Sequence, residues 1–385
     1  MRKSFLYILL LGALAVCLPA CQNDDTDYFS QYTLTTDDDD DDTTSDTVTI
    51  SIAWSSSSVS VSGDANSVVT TSGADVTVSD TTSKYLILVL SGSTSDGSLL
   101  VYRSKKYTIQ MNGVSITNSD GPAINNQCKK SLYIECADGT SNTLTDGTSY
   151  ADQDYDQKGA LFSEGQIYFS GGGTLSVNGN YKNAIACDDY ITIEDDITLN
   201  ATTSETGTNG IKVNDGMYIN GGTLTVSVAS DGGRGIRSEA KTVITGGTTT
   251  ITTSGDCKIE TVDGVADTTS AAGIKCDSLF TMTAGTLTIT STGDGGKGIR
   301  CDENVEFSGG TLVVKTTGSN DDSKPKGIKS DTGIIVSGGS FSVTVKKSWA
   351  CDNGTDSTEP ADHLTVQGSP TSSSIAKKSV VIAYE

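Results

Sequence analysis

Five short triplets punctuate the second half of this 385-residue chain: Gly210-Ile211-Lys212, Gly235-Ile236-Arg237, Gly273-Ile274-Lys275, Gly298-Ile299-Arg300 and Gly327-Ile328-Lys329. Their isoleucines stand 25, 38, 25 and 29 residues apart, a repeat near 25 with occasional insertions. Between triplets come Gly-Gly-Thr-like turns and stretches in which apolar residues alternate with Thr or Ser, such as Leu224, Val226 and Val228 or Phe341, Val343 and Val345. A period of two belongs to strands, not helices. Two or three strands per unit, split by glycine turns, predict stacked coils whose inward rows bury against their neighbours. The expected fold class is therefore all-β, a parallel β-helix of about 25 residues per coil. Regular coils are expected over 158–355, irregular ones over 48–157, and a C-terminal cap over 356–385.

Residues 1–20 have the form of a secretory address: basic Arg2 and Lys3, an apolar run from Phe5 to Val16 too short to span a bilayer, then Leu18-Pro19-Ala20-Cys21. Small residues before Cys21 predict lipoprotein cleavage and lipidation of that cysteine, and so a place at the outer membrane or cell surface of a Gram-negative bacterium. Residues 21–47 lack any hydrophobic period and carry six consecutive aspartates, Asp37 to Asp42, whose repulsion predicts a hydrated, flexible tether. Asp24, Asp25 and Asp27 resemble the surface-export signals of lipoproteins in the Bacteroidetes.

The chain carries 26 Lys and Arg against 48 Asp and Glu, a net charge of −22. Without the two leader cations and the ten tether acids the body still holds 24 cations against 38 acids, or −14. That balance argues against nucleic acid and against anionic membrane surfaces, leaving the N-terminal lipid as the membrane contact. A monomer is expected. Seven cysteines remain beyond Cys17 and Cys21, an odd number for a closed disulfide set. Cys187, Cys276, Cys301 and Cys351 are assigned to the slot after the Lys/Arg position, where they point inward with the isoleucines as small core fillers. Cys276 and Cys301 fall on neighbouring coils ~4.8 Å apart, so a disulfide is geometrically possible, but free buried thiols are the expectation. Zinc is disfavoured, because there is no Cys-x-x-Cys pair and His363 is the only histidine.

Counting outward from each isoleucine gives two files on one face. The first is basic: Lys212, Arg237, Lys275, Arg300 and Lys329. The second is mostly acidic: Asp188, Asn214, Glu239, Asp277, Asp302, Asp331 and Asp352. Adjacent files of opposite sign relieve repulsion within each file, so an ion-pair lattice on an exposed sheet explains them. A polymer-binding track explains them too, since sites at a fixed rise suit a repeating ligand and hard oxygen ligands on adjacent coils suit Ca²⁺. Asp231 and Asp294, in Gly-rich turns before two triplets, and Asn320-Asp321-Asp322 serve either turn geometry or metal ligation. Tyr150 and Tyr155 sit in a segment, 146–158, that reads as a protruding loop, and together with Tyr181, Tyr190 and Tyr218 offer flat faces for sugar rings. A lone His363 outside the repeats supports no Ser-His or Cys-His site.

Residues 113–118 (Gly113-Val114-Ser115-Ile116-Thr117-Asn118), Gly121-Pro122-Ala123-Ile124, the run Asn142-Thr143-Leu144-Thr145-Asp146-Gly147, and Gly173-Thr174-Leu175-Ser176-Val177-Asn178-Gly179 resemble a secreted carbohydrate-binding β-helix family. That family, typified by a clostridial cellulose- and pectin-binding protein, is similar over roughly 48–355. The resemblance implies a right-handed parallel β-helix of pectate-lyase-like fold that binds acidic or cellulosic polysaccharide without established catalysis. It also implies calcium held by acids near Asp188, Asp277, Asp302 and Asp331. Arg234, Lys297 and Lys326, which stand directly before three Gly-Ile steps, depart from the acids usual there, and an insertion between Gly255 and Ala272 breaks the stack.

A calcium-assisted, cell-surface polysaccharide-binding lipoprotein is thus the leading expectation. A calcium-dependent polysaccharide lyase, with Lys212, Arg237, Lys275 or Arg300 as base, and an adhesive protein whose ligand is another protein are the alternatives.

Overall fold

The computed structural model describes residues 46–384 apart from 64–67, 263–264, 320–323 and 377–378. The leader, Cys21, the tether with its aspartate run, and Asn320-Asp321-Asp322 lie outside the described residues. Within them the chain is all-β; a single 3₁₀ turn at Pro360–His363 is the only helical element among the described residues. The regular coils each contribute three strands. Asn209–Val213, Gly216–Ile219 and Thr223–Val228 make one coil, and Arg234–Ser238, Thr242–Ile244 and Thr248–Thr253 make the next. Like strands of successive coils pair in parallel and in register. The first strand of each coil builds a 12-stranded sheet, and the other two belong to a 23-stranded sheet that bends around the core.

Alternation decides what is buried. Ile211, Met217, Ile219, Leu224 and Val226 point inward and are at most 1% exposed, and each stacks on its counterpart one coil away. Burying such a side chain stabilises by roughly 1.5–3 kcal/mol, repeated coil after coil.

Two kinds of glycine make the corners possible. Those closing the Gly-Gly turns adopt φ near +70°, as at Gly247 (φ +71°), where an added Cβ would also strike the Gly221 carbonyl of the coil before. The triplet glycines serve packing instead: a Cβ on Gly235 would collide with Ile251 Cγ2 and reach the Gly273 carbonyl oxygen at 2.5 Å. Gly and the following Ile therefore both face the core, and strict alternation is suspended for one residue.

The ends are closed by antiparallel pieces. Thr47–Ser56 pairs in parallel with Tyr85–Thr94 but antiparallel with Ser58–Gly63, and Trp54 is pinned through its indole N–H to the Ala74 carbonyl at 2.8 Å. At the other end Ser379–Ala383 runs antiparallel to Ser340–Val345 and takes Ser372–Ala376 as its own partner. Such hairpins cover edges that would otherwise template further pairing. The family-like Asn142 is architectural: 1% exposed, its Oδ1 accepts the Gly113 and Val114 amides at 2.9 and 3.0 Å, and its Nδ2 donates to the Thr174 carbonyl at 3.0 Å.

Three sequence expectations are corrected. Cys276 and Cys301 are joined by a disulfide, their Cα atoms 4.9 Å apart on neighbouring rungs, whereas Cys128, Cys136, Cys187 and Cys351 are free thiols. Cys351 stacks on Ile328, not on the slot two residues later, and Asp352 consequently stacks on Lys329 in the basic file. Segment 146–158 does not project: Asn125 and Gln127 donate side-chain hydrogen bonds to the Asp156 carbonyl, which folds the segment back over the sheet. The insertion after Gly255 forms a hairpin, Lys258–Val262 with Val265–Thr269, that leaves the neighbouring coils in register.

Candidate functional site

The outer face of the 12-stranded sheet carries one unbroken row from Thr77 through Leu100, Asn125, Phe162 and Ala186 to Lys212, Arg237, Lys275, Arg300, Lys329 and Asp352. The five predicted cations are thus lateral neighbours at one rung, ~4.8 Å, each. Beside them run Asp188, Asn214, Glu239, Asp277, Asp302 and Asp331, whose amides each donate to the coil before and so continue the ladder by one step.

Cations reach diagonally to acids. Lys212 lies 3.1 Å from Glu239, Arg237 2.6 Å from Asp277, and Lys275 2.7 Å from Asp277 and 2.6 Å from Asp302. Lys329 lies 2.9 Å from Asp331 on its own coil, and Lys326 pairs with Asp352. Burial pushes the Asp277 carboxyl up, but hydrogen bonds from Arg237 and Lys275 outweigh it and hold the group below the usual carboxylate range. Asp352 is held low in the same way by Lys326. Partly exposed pairs of this kind stabilise by only ~0–1 kcal/mol each, so the lattice is a weak contributor to stability.

The acids predicted to hold metal fall into three situations. Asp277, Asp302 and Asp331 already face Lys or Arg. Asp231 and Asp294 stack as turn braces: Asp231 Oδ1 accepts the Asp256 amide at 2.8 Å, Asp256 the Asp294 amide at 2.7 Å, and Asp294 the Ser319 amide at 2.7 Å. Asp188 is different. With Asp156 and Glu164 it brings three carboxylate oxygens within 4.8 Å of one another, close enough to hold a metal ion. Lys158 lies in this group, paired with Asp188 and 2.7 Å from Asp156. Burial pulls its ammonium down, but the hydrogen bonds to Asp156 and Asp188 win and raise it.

The tyrosines occupy the N-terminal half of this face. Tyr155 meets Tyr102 edge-on at 6.4 Å and lines a cleft of about 240 Å³ with Asn118, Asp120 and Asn125. Tyr150 is half-buried, donates to Asp146 Oδ2 at 2.5 Å, and packs edge-on against Tyr181, with Lys182 over both rings. On the neighbouring face Tyr133, Tyr168, Tyr190 and Tyr218 form a ladder, the first pair stacked at 5.0 Å and the next two edge-on at 5.8 and 5.9 Å, so these rings pack against each other. His363 is buried, stacked on Trp349 at 4.2 Å and bonded to the Ser357 carbonyl, with its Nδ1 3.8 Å from Asp352 Oδ1 at the end of the cation row.

Counting in twos missed a second basic row. Arg234, Ala272, Lys297 and Lys326 are consecutive partners one residue before the triplet glycines. Strict alternation would put them inward with the isoleucines. Because Gly and Ile both face the core, these side chains share the neighbourhood of Arg237, Arg300 and Lys329. Arg234 also lines a cleft of about 750 Å³ bounded by Glu205, Asp231, Asp256 and Lys258. The available signal was a cation before Gly-Ile in three coils.

A parallel β-helix with a charged, ladder-like outer face is the class this geometry defines. A family model described as carbohydrate-binding domain-containing protein matches residues 72–234 and 232–321, and the chain belongs to that family. A curated Acetivibrio thermocellus relative named carbohydrate-binding domain-containing protein is 35% identical over 100 residues. The match takes in 25% of this chain and 35% of the relative, so the chain spans about a third of that protein's length. A solved structure described as the polysaccharide lyase-like protein from C. thermocellum, in a gadolinium derivative, superposes with a TM-score of 0.54 and 25% identity. That alignment covers 68% of this chain and 97% of the other.

Proposed function

We propose that this protein binds polysaccharide lengthwise on the outer face of its 12-stranded sheet, as a surface lipoprotein held through Cys21. One observation carries the reading: five cations repeat at one rung in register across five coils, which suits a ligand that itself repeats. The family supports a sugar partner. The Tyr155 cleft, at the far end of the same row, adds a ring that suits a pyranose C–H face. Calcium enters this reading at one place, Asp156–Glu164–Asp188, where Ca²⁺ would replace the Lys158 ammonium and draw on hard oxygen ligands. The acids of the file itself stay paired with their cations.

Retention on immobilised cellulose and on anionic glycans tests the proposal. The wild type is expected to be retained on at least one of them, and an Arg237→Gln/Lys329→Gln double variant at least about tenfold more weakly, a loss of about 1.4 kcal/mol. Wild-type passage through every column would sink the reading.

A further inference from the structure

Most charges on this face are matched, and three are not. Within the two basic rows and the facing file, eight Lys and Arg, from Lys212 to Lys329, stand against five carboxylates, Glu239, Asp277, Asp302, Asp331 and Asp352; the cleft acids Glu205, Asp231 and Asp256 lie outside these rows, on the Arg234 side. The excess of three cations sits on a chain whose net charge is −22. Among the described residues Arg234, Lys297 and Arg300 have no carboxylate within ion-pair distance. The Arg300 Nε is buried without a hydrogen-bond partner. Lys297 is 6% exposed and its ammonium donates only to uncharged groups, Ser270 Oγ at 2.6 Å and the Gly295 carbonyl at 3.4 Å.

The three belong to one place. Lys297 and Arg300 share the strand Lys297–Cys301, two coils on from the strand Arg234–Ser238 that carries Arg234. Between Arg234 and Lys297 in their row stands the buried Ala272, so the two cations lie two rungs, ~9.6 Å, apart along the row with only a methyl group between them. Arg234 and Arg300 are partly open to solvent, whereas Lys297 is buried. Covered cations without counter-charges are costly to keep, and a ligand that supplies the missing charge removes that cost.

Resting on the glycan-binding reading, we propose that Arg234, Lys297 and Arg300 form a subsite that holds an oxyanion substituent of a sugar chain, carboxylate or sulfate, directly and without a bridging metal. Arg300 and Arg234 offer planar forks suited to two-oxygen recognition, and Lys297, on the strand of Arg300, offers a point charge. Burial, followed by Arg300, Lys329 and Lys326, pushes the Lys297 amine down to about 8, with Cys257 acting in the opposite direction, so anion capture at pH 8 to 9 draws a proton onto it.

The test compares four polymers in excess chelator: polyuronate, reduced (neutral) polyuronate, dextran sulfate and dextran. The full mature chain is assayed beside Lys297→Gln, Arg300→Gln and Arg300→Lys. The wild type is expected to hold at least one charged polymer in chelator, with the carboxylate and sulfate arms identifying the substituent. Lys297→Gln and Arg300→Gln should each weaken that binding about tenfold, Arg300→Lys should recover part of it, and neutral polymers should be unaffected. Binding of charged polymer should take up protons at pH 8.5 in wild type and not in Lys297→Gln. Complete loss of charged-polymer binding in chelator, or charged-polymer binding indifferent to both Gln variants, overturns the subsite. Retention of neutral polymers alone overturns it and leaves the glycan-binding reading standing. Failure to retain any of the four overturns the subsite, and failure on cellulose as well overturns both.

Discussion

Replacing Lys297 with Met tests how the unmatched cations are held. The side chain is 6% exposed, and its amine is displaced from 10.5 to about 8, chiefly by burial and then by Arg300, Lys329 and Lys326. At 1.36 kcal/mol per tenfold change in proton affinity, keeping the folded-state charge costs on the order of 3 kcal/mol. The sign follows from linkage. The unfolded chain binds this proton up to pH 10.5 and the folded protein only to about 8, so the penalty is full below pH 8 and fades as pH rises towards 10.5. Met keeps an unbranched stem of similar reach but forfeits the bonds to Ser270 and Gly295, a loss of about 1 kcal/mol or slightly more. Lys297→Met is therefore expected to be roughly 1–2 kcal/mol more stable than wild type at pH 7. That advantage should vanish and reverse by pH 10.5. Urea unfolding of both proteins at half-unit steps from pH 6.5 to 10.5 gives the difference directly. Cysteines and tyrosines common to both proteins cancel in it. A difference that stays constant with pH, or a variant less stable at pH 7 than at pH 10.5 relative to wild type, would refute the account of a buried, uncompensated charge.

Two further outcomes follow from the coil geometry. Gly298→Ala places a Cβ against Val314 Cγ1 and 2.5 Å from the Gly327 carbonyl oxygen, and since backbone cannot yield as a side chain does, a loss of about 3 kcal/mol in urea unfolding is expected; a loss under 0.5 kcal/mol would contradict the corner packing. The Cys276–Cys301 bridge closes a 25-residue interval, so the Cys276→Ser/Cys301→Ser variant should lose about 3.5 kcal/mol by the chain-entropy relation, with one thiol pair appearing in wild type only after reduction under denaturant; an unreduced wild type with seven titratable body thiols would remove the bridge.

Local pattern carried far in this chain. The coil length was legible because the Gly-Ile-Lys/Arg beat and the Gly-Gly turns recur at a fixed interval. Inward and outward rows were legible because period-two alternation is set residue by residue, and Leu224, Val226 and Val228 can bury only as a set. The basic and acidic files emerged from the same count. Where counting failed, the cause was a break in local regularity. At Gly235 and Gly298 the absent side chain lets two successive residues face the core, which carries Arg234 and Lys297 out of the row that alternation assigns them. After Ser330 the connection to the last coil shifts the partner of Ile328 to Cys351 and drops Asp352 into the cation file.

What the chain's own order of residues determined is the solenoid, its rise and the sign of each outward row, because these follow from propensities and spacings within one coil. The stacking of coils decided the rest: which acid quiets which lysine, which two of the cysteines meet, and which three cations are left without a counter-charge. Those outcomes join residues about 25 to 40 positions apart, and they are settled by side-chain reach across rungs and by the length of each intervening loop, neither of which is written in any single repeat.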